Sequence, residues 1–460
     1  MKFCPPFYRS FFWTIAVIST HPLGATPVQT YLQESFPKLL EVEAAVKNLE
    51  AEKQNLEIAQ SRFRTEFKSS AALKSATLGG ENFGGKNYSI GVGQDLPLGL
   101  GLEAAYTDQV PGFGSTSSLQ SYQLRSLEIS QNLWPNFLGR TLERAEKIST
   151  LDYEISNTET SLILIASCKR LNQLVTRFSV AILEKKILEF IVTKNQKALD
   201  WARLASKERR IRSMDLLTAE EQSLETQTRL KESEARVKQI QKTLESLNVS
   251  MPSFELNQIE NFLGNLGTQQ KKFELASFPD FKKSGLQLNR QNLVAQATTN
   301  DVLPQIQHSV TFANKDSPSP SQTENNLSWG VSLSVPLWGQ KEWKIKNRED
   351  LRYSSQILKH QNEKNSLESQ IEILKSDLAL AADQLKEAET LKFLAQKKAN
   401  ESELALRKGQ AGFFEFASYE RNSRQAELNY LSRFSKWSDS ILEIEALTGD
   451  LLELCQPRKL

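Results

Sequence analysis

The chain says the same thing twice. A stretch of alternating apolar and small residues is followed by a long stretch free of Gly and Pro, and the arrangement recurs about two hundred residues later. Asn132-Leu133-Trp134-Pro135 closes the first alternating stretch, and Val335-Pro336-Leu337-Trp338-Gly339 closes the second. Residues 140–251 contain neither Gly nor Pro, and the same holds for residues 340–408. Ser35-Phe36-Pro37 and Ser277-Phe278-Pro279 open the two copies, and the acids Asp215 and Glu415 occupy matching places at the far ends. A continuous helix over residues 140–207 would be on the order of 100 Å long, too long for a compact globule. Such a helix suits a span between two distant places.

In residues 86–107, KNYSIGVGQDLPLGLGLEAAYT, Tyr88, Ile90, Val92, Leu96, Leu98, Leu100, Leu102, Ala104 and Tyr106 share one face. The other face carries Ser89, Gly91, Gly93, Asp95, Gly99, Gly101, Glu103 and Thr107. This period of two predicts one long strand. After the loop PGFGSTSS, a return strand runs over residues 119–134, with a bulge where its apolar phase shifts between Leu124 and Leu127. In the second copy Ile306, Val310 and Phe312 precede a polar loop, and Leu327, Trp329, Val331, Leu333, Val335 and Leu337 alternate with small residues on the return. Such a hairpin is half-buried in a water-soluble sandwich, or faces lipid on one side and a lumen on the other. Four strands cannot close around water, so a membrane reading requires several chains to share one barrel.

Within the helical stretches the apolar positions step in threes and fours: Ile148, Leu151, Ile155, Leu162, Leu171, Leu174, Phe178 and Ala181, then Leu367, Ile371, Leu374, Leu378, Ala381, Leu385 and Ala388. That spacing predicts helix-on-helix packing of the coiled-coil kind. Lys408-Gly409-Gln410-Ala411-Gly412 stops the second stretch, where Gly can adopt a left-handed conformation. The equivalent first turn falls within residues 207–213, because Arg209 and Gly409 each precede their acid by six residues. Each copy therefore reads as hairpin, helix out, tight turn and helix back.

With 57 basic and 55 acidic residues the chain is near neutral, which gives no support to a nucleic-acid partner. The N-terminus has the order of a secretory signal: Lys2 and Arg9, an apolar run over residues 11–18, then Leu23-Gly24-Ala25. Cys168 and Cys455 remain after such a leader, and their spacing suits two unpaired buried thiols better than a disulfide framework or a metal knuckle. His308 and His360 have no partner at ligand spacing, so no catalytic, cofactor or metal site is expected.

These residues resemble the outer-membrane efflux protein family, the TolC-like proteins. LSVPLWGQKEWKIKN is similar to that family's barrel-to-helix motif, which puts Pro336, Trp338 and Gly339, with Trp134 and Pro135 in the first copy, at the barrel-to-helix turns. RKGQAGFFEFASYERNSRQAEL resembles its helix-tip motif, with Gly409 and Gly412 in the turn, and FPDFKKSGLQLNRQNLVAQATTNDVLPQIQ resembles the lead into the second hairpin. The resemblance implies a fold that is mainly α with transmembrane β: a homotrimer whose chains each give four strands to a twelve-stranded barrel, continued by a periplasmic α-helical barrel. It implies a passive exit duct of a tripartite efflux or type I secretion system in the outer-membrane lipid, extending into the periplasm. Its partners would be a periplasmic adaptor, or membrane fusion protein, and an inner-membrane transporter of RND or ABC type.

The division expected on this basis is a signal peptide 1–25, an N-terminal periplasmic helical segment 26–85, a first transmembrane hairpin 86–134 and a first helical hairpin 135–247. A connector 248–277, a helix 278–303, a second transmembrane hairpin 304–338, a second helical hairpin 339–449 and a tail 450–460 complete it. Carried over by position, Glu415 and its counterpart Asp215 would line the periplasmic entrance. The chain departs from the family at Ser418, Ala411 and Leu406, where a second acid, a basic residue and an aromatic often stand. Arg209, Arg210 and Arg212 on the other tip offer a substitute lock to Glu415. A rival from another class is a secreted coiled-coil tether without a pore, which membrane fractionation would distinguish.

Overall fold

A computed structural model describes residues 27–61, 66–78, 81–96, 100–111, 122–134, 140–208, 212–267, 273–301, 303, 305–316, 323–334, 340–408 and 412–456. The expected signal peptide, both barrel-to-helix turns beyond Trp134 (Pro135, Pro336, Trp338 and Gly339), and Gly409, Arg209 and Arg210 at the tips lie outside these residues.

Two short helices begin the described chain, α1 (Pro27–Ser35) and α2 (Leu40–Gln60). Four strands follow: β1 (Glu66–Leu78), β2 (Glu81–Leu96), β3 (Leu100–Pro111) and β4 (Tyr122–Trp134). Next come the long helix α3 (Arg140–Lys207), α4 (Ser213–Ser246), α5 (Leu256–Gly267) and α6 (Pro279–Asp301). The second copy continues with β5 (Gln305–Asp316), β6 (Thr323–Ser334), α7 (Gln340–Arg407) and α8 (Phe413–Thr448), and α9 (Leu451–Cys455) ends it.

Helices α3 and α7 are each 68 residues long. Their length follows from uninterrupted sequence and from heptad burial. Leu164, Cys168, Leu171, Val175 and Phe178 of α3 step by four and three and are all buried. Each long helix has two sets of neighbours along its length. Near the sheet α3 meets α2 and α6, through Arg170 to Glu41 and Lys283 to Glu159, and α7 meets α6 through Gln291 to Glu349. Towards the tips α3 meets α4 and α8, through Glu184 to Arg236 and Arg177 to Asp439, and α7 meets α8 through Arg433 to Gln384. Around the shaft the order is therefore α2–α3–α6–α7 above and α4–α3–α8–α7 below.

The thickest packing is at mid-shaft, where α1, α5 and α9 close over α3 and α8. Leu32, Leu171, Ile259, Leu263, Phe434, Leu442 and Leu451 are buried there. Gly449 ends α8 with φ 85°, a conformation that glycine adopts without strain, and a Cβ there would meet Pro279 Cγ at 3.1 Å. Cys168 and Cys455 form a disulfide across 287 residues, which corrects the expectation of two free thiols. Sequence separation concealed the pair, because the tail returns to the middle of the shaft rather than following the helices.

Glu349 lies on α7 facing α6, with its side chain 4% exposed. Burial alone would raise its pKa. The Gln291 amide, donating at 3.0 Å, and the guanidinium groups of Arg348 and Arg352 outweigh that and hold its carboxyl below the usual glutamate range. A depressed carboxylate pKa contributes stability that is fully present above the unfolded value and is lost as pH falls through the folded one. The thermal stability of wild type over Glu349→Gln should therefore be constant from neutral pH to about 4.5 and shrink below it. Melting curves between pH 7 and pH 3 (roughly the range over which carboxylates titrate) check this; a difference that does not change with pH would contradict it.

The strands form one antiparallel sheet in the order β1-β2-β3-β4-β5-β6. Among the described residues the sheet has six strands, where four are expected from the sequence. Residues 86–107 are not one strand: β2 and β3 pair antiparallel, with Leu96 opposite Leu100, and Pro97, which has no ladder N–H to donate, falls outside the described residues. Residues 66–78, expected within a helical segment, form β1 and pair along β2 from Glu66–Gly93 to Leu78–Glu81. The expected bulge between Leu124 and Leu127 is also absent, since β3 and β4 pair without interruption there. Leu124 simply lies on the opposite face, level with Thr107 and Lys315. The register shifts instead between Asn132 and Trp134, at the end of β4.

Candidate functional site

The pairing register sorts the sheet into two surfaces. One row of directly opposed residues crosses all six strands: Phe67, Val92, Ala104, Leu127, Phe312 and Leu327. The next row on that face holds Leu102, Ile129, Val310 and Trp329. These side chains are apolar yet open: Leu327 is 71% and Trp329 75% exposed. On the opposite surface Gly93, Glu103, Glu128, Thr311 and Ser328 form one row and Gly91, Ala105, Ser126, Ala313 and Asn326 another. From Leu327 to Leu333 the apolar run of β6 spans about 20 Å at strand rise. A continuous open apolar surface of this kind marks contact with lipid or with another chain.

At the other end of the molecule the two tips are copies of each other. Helices α3 and α7 end at Lys207 and Arg407, and α4 and α8 begin at Ser213 and Phe413. The backbone N–H groups of Glu208 and Lys408 donate to Leu204 and Leu404, both at 3.1 Å, and those of Leu216 and Phe416 donate to Arg212 and Gly412. Arg212 and Gly412 thus take the same place before a helix, and Asp215 and Glu415 fall on the third residue of their helices. An acid in a first turn is favoured by the positive end of the helix. Glu415 and Arg212 are both exposed. Gly412 is extended, at φ −78° and ψ 153°, so its role is to start α8 rather than to end α7 in a left-handed conformation. Trp134 is the last residue of β4, opposite Ile306.

Among the described residues no helix is long and apolar enough to cross a membrane, a statement about helices that does not bear on the sheet. Among the same residues no group of three or more His, Cys, Asp or Glu could hold a metal ion.

The sheet and the shaft share their edges. Strand β1 is one edge of the sheet and follows α2, an edge helix of the upper shaft; β6 is the other edge and leads into α7, the opposite edge helix at both levels. Along α7, Leu351, Leu358, Ile373, Leu380 and Phe393 are between 54% and 72% exposed, although they are large and apolar. Leu40 and Ile58 of α2 and Leu217 and Leu224 of α4 are open on the other side.

Several solved structures of outer-membrane channels are similar to this chain in fold. The channel OprN matches with a TM-score of 0.68 at 14% identity, over 92% of this chain and 90% of that one. This is the TolC-like channel fold. The open-state MtrE channel of Neisseria gonorrhoeae matches at TM-score 0.67 and 13% identity, covering 92% and 88% of the two chains. The CmeC channel of Campylobacter jejuni matches at 0.64 and 13%, covering 92% and 85%. No family model matches the sequence. No curated relative matches it either. The 68-residue helices separate the tips from the sheet, with Glu415 at one end of them and the apolar rows at the other.

Proposed function

We propose that the protein is a homotrimeric outer-membrane channel whose shaft crosses the periplasm, a passive exit duct for a tripartite efflux or type I secretion system. The observation that carries this reading is the coincidence of open edges. Unpaired strand edges are untenable in lipid, at several kcal/mol for each unsatisfied group, and a sheet whose β1 and β6 edges belong to the same sides as α2 and α7 closes when copies join head to tail. Closure of three copies would make the apolar rows the outer belt and the rows with Glu103 and Glu128 the lumen wall. With the six described strands in each chain, three copies would supply eighteen strands rather than twelve. The outward apolar surface speaks against a pore-free tether, which would leave it in water.

The lower tips are the entrance in this reading, with a periplasmic adaptor and an RND or ABC transporter as the partners that dock there. Three copies of Glu415, each on the first turn of α8, would converge into an acidic ring, with Asp215 as the counterpart on the other tip. Such a ring draws cations by its local field. In planar bilayers Glu415→Gln should lose most of the cation preference shown by wild-type channels; equal reversal potentials in the two proteins would remove the ring. Charge reversal at Arg209, Arg210 and Arg212 tests the substitute lock by the same recordings.

A further inference from the structure

We propose that Arg424, seated on the ring of Phe190, is a positioning residue that holds the lower ends of the two helical hairpins together and so sets the width of the entrance. The inference rests on the duct reading above. The α3/α4 and α7/α8 hairpins meet along α3 and α8. At mid-shaft that seam is apolar, with Leu171, Phe178, Phe434 and Ile441 buried and the Cys168–Cys455 disulfide beside it. Towards the tip its character changes. Tyr430 and Leu431 are the last large apolar side chains of α8 to be buried, and from Glu415 to Asn422 no described side chain of that helix is buried.

What joins the helices there is a cluster of cations and rings. The Arg424 guanidinium carbon lies 4.4 Å from the centroid of Phe190, and the Lys194 ammonium lies 5.2 Å from the same ring and 5.9 Å from that of Phe416. Arg424 is braced from its own helix: it donates to Glu427 at 2.9 Å and is paired with Glu420 at 3.6 Å. These carboxylates, four residues before and three after it, fix the guanidinium over a ring carried by the other hairpin. The ring attracts the cations through its negative face, so this contact holds by electrostatics at the exposed side of α3, beside the buried Ile187, Leu188 and Ile191. The seam is therefore bonded and dry at mid-shaft and held by an electrostatic contact below. This contact supplies a hold on the tips in a chain where Ala411, Leu406 and Ser418 stand at the positions that the family resemblance marks as departures.

Single-channel recording of the purified trimer in planar bilayers tests this. Phe190→Leu keeps an apolar side chain but removes the ring, and Arg424→Gln keeps Phe190 but removes the cation. Each should at least double the unitary conductance, while Phe190→Trp, which preserves the ring face, should leave it at or below the wild-type value. Wild-type conductance in both Phe190→Leu and Arg424→Gln overturns the latch and leaves the duct standing. Absence of any conductance from the wild-type protein overturns the duct reading, and the latch with it. Far-ultraviolet circular dichroism and trimer elution identify any variant that fails to fold, and the other variant then decides.

Discussion

Trp329→Arg should prevent stable assembly in the outer membrane. Trp329 is 75% exposed on the apolar surface of β6, opposite Val310 and one register step from Leu327. If that surface meets hydrocarbon, an arginine there costs about 2–4 kcal/mol in each chain near the bilayer midplane, and a trimer carries the charge three times. The protein should then leave the detergent-requiring membrane fraction for degraded or aggregated material. Ser332→Arg is the internal comparison, because Ser332 lies on the opposite surface of the same strand, opposite Gln307. A charge facing a lumen should be tolerated, so this variant should fractionate like wild type. If both variants behave alike, the two faces of the sheet have been assigned wrongly.

Removing the disulfide should have the second large effect. Cys168 is in the buried heptad of α3, and Cys455 ends α9, which carries the tail back to mid-shaft. Both sulfur atoms are buried beside Asn172, whose amide donates to the Cys168 carbonyl at 3.0 Å. A cross-link closing a loop this long restricts the unfolded chain strongly, and losing one costs about 2–5 kcal/mol. Cys455→Ser should lower the melting temperature and expose the C-terminal segment to limited proteolysis, with reducing agent producing the same change in wild type and none in the variant. A wild-type melting temperature indifferent to reductant would show that the bond contributes little.

The long helices were legible because nothing interrupts them. Neither Gly nor Pro occurs between Gln340 and Arg407, and Leu367, Ile371, Leu385 and Ala388 show their heptad steps in sequence as in burial. The helix ends at the tips were legible through repetition, since Lys207 and Arg407 end one pair of helices and the acids Asp215 and Glu415 fall at the same place in the next pair. The sheet was read less well. Leu96 and Leu100 pair across three residues, an odd connection that leaves even-numbered side chains on the same face before and after the reversal. Alternation therefore continues through the turn, and the hairpin is invisible to a reading by period two. Residues 66–78 mix Lys68, Lys74 and several Ser with Ala71, Ala72 and Leu73 in a row, without alternation, so β1 owes its conformation to pairing with β2 rather than to its own pattern. Contacts between distant segments were beyond reach altogether: Cys168 with Cys455, and Phe190 with Arg424, depend on how the two copies are laid against each other.

The most direct test of the shared barrel is the mass of the intact particle. Extracted in mild detergent and measured by native mass spectrometry, the protein should appear as three chains and release single chains only on harsher activation. A particle of one chain, with β1 and β6 left as free edges, would contradict the account.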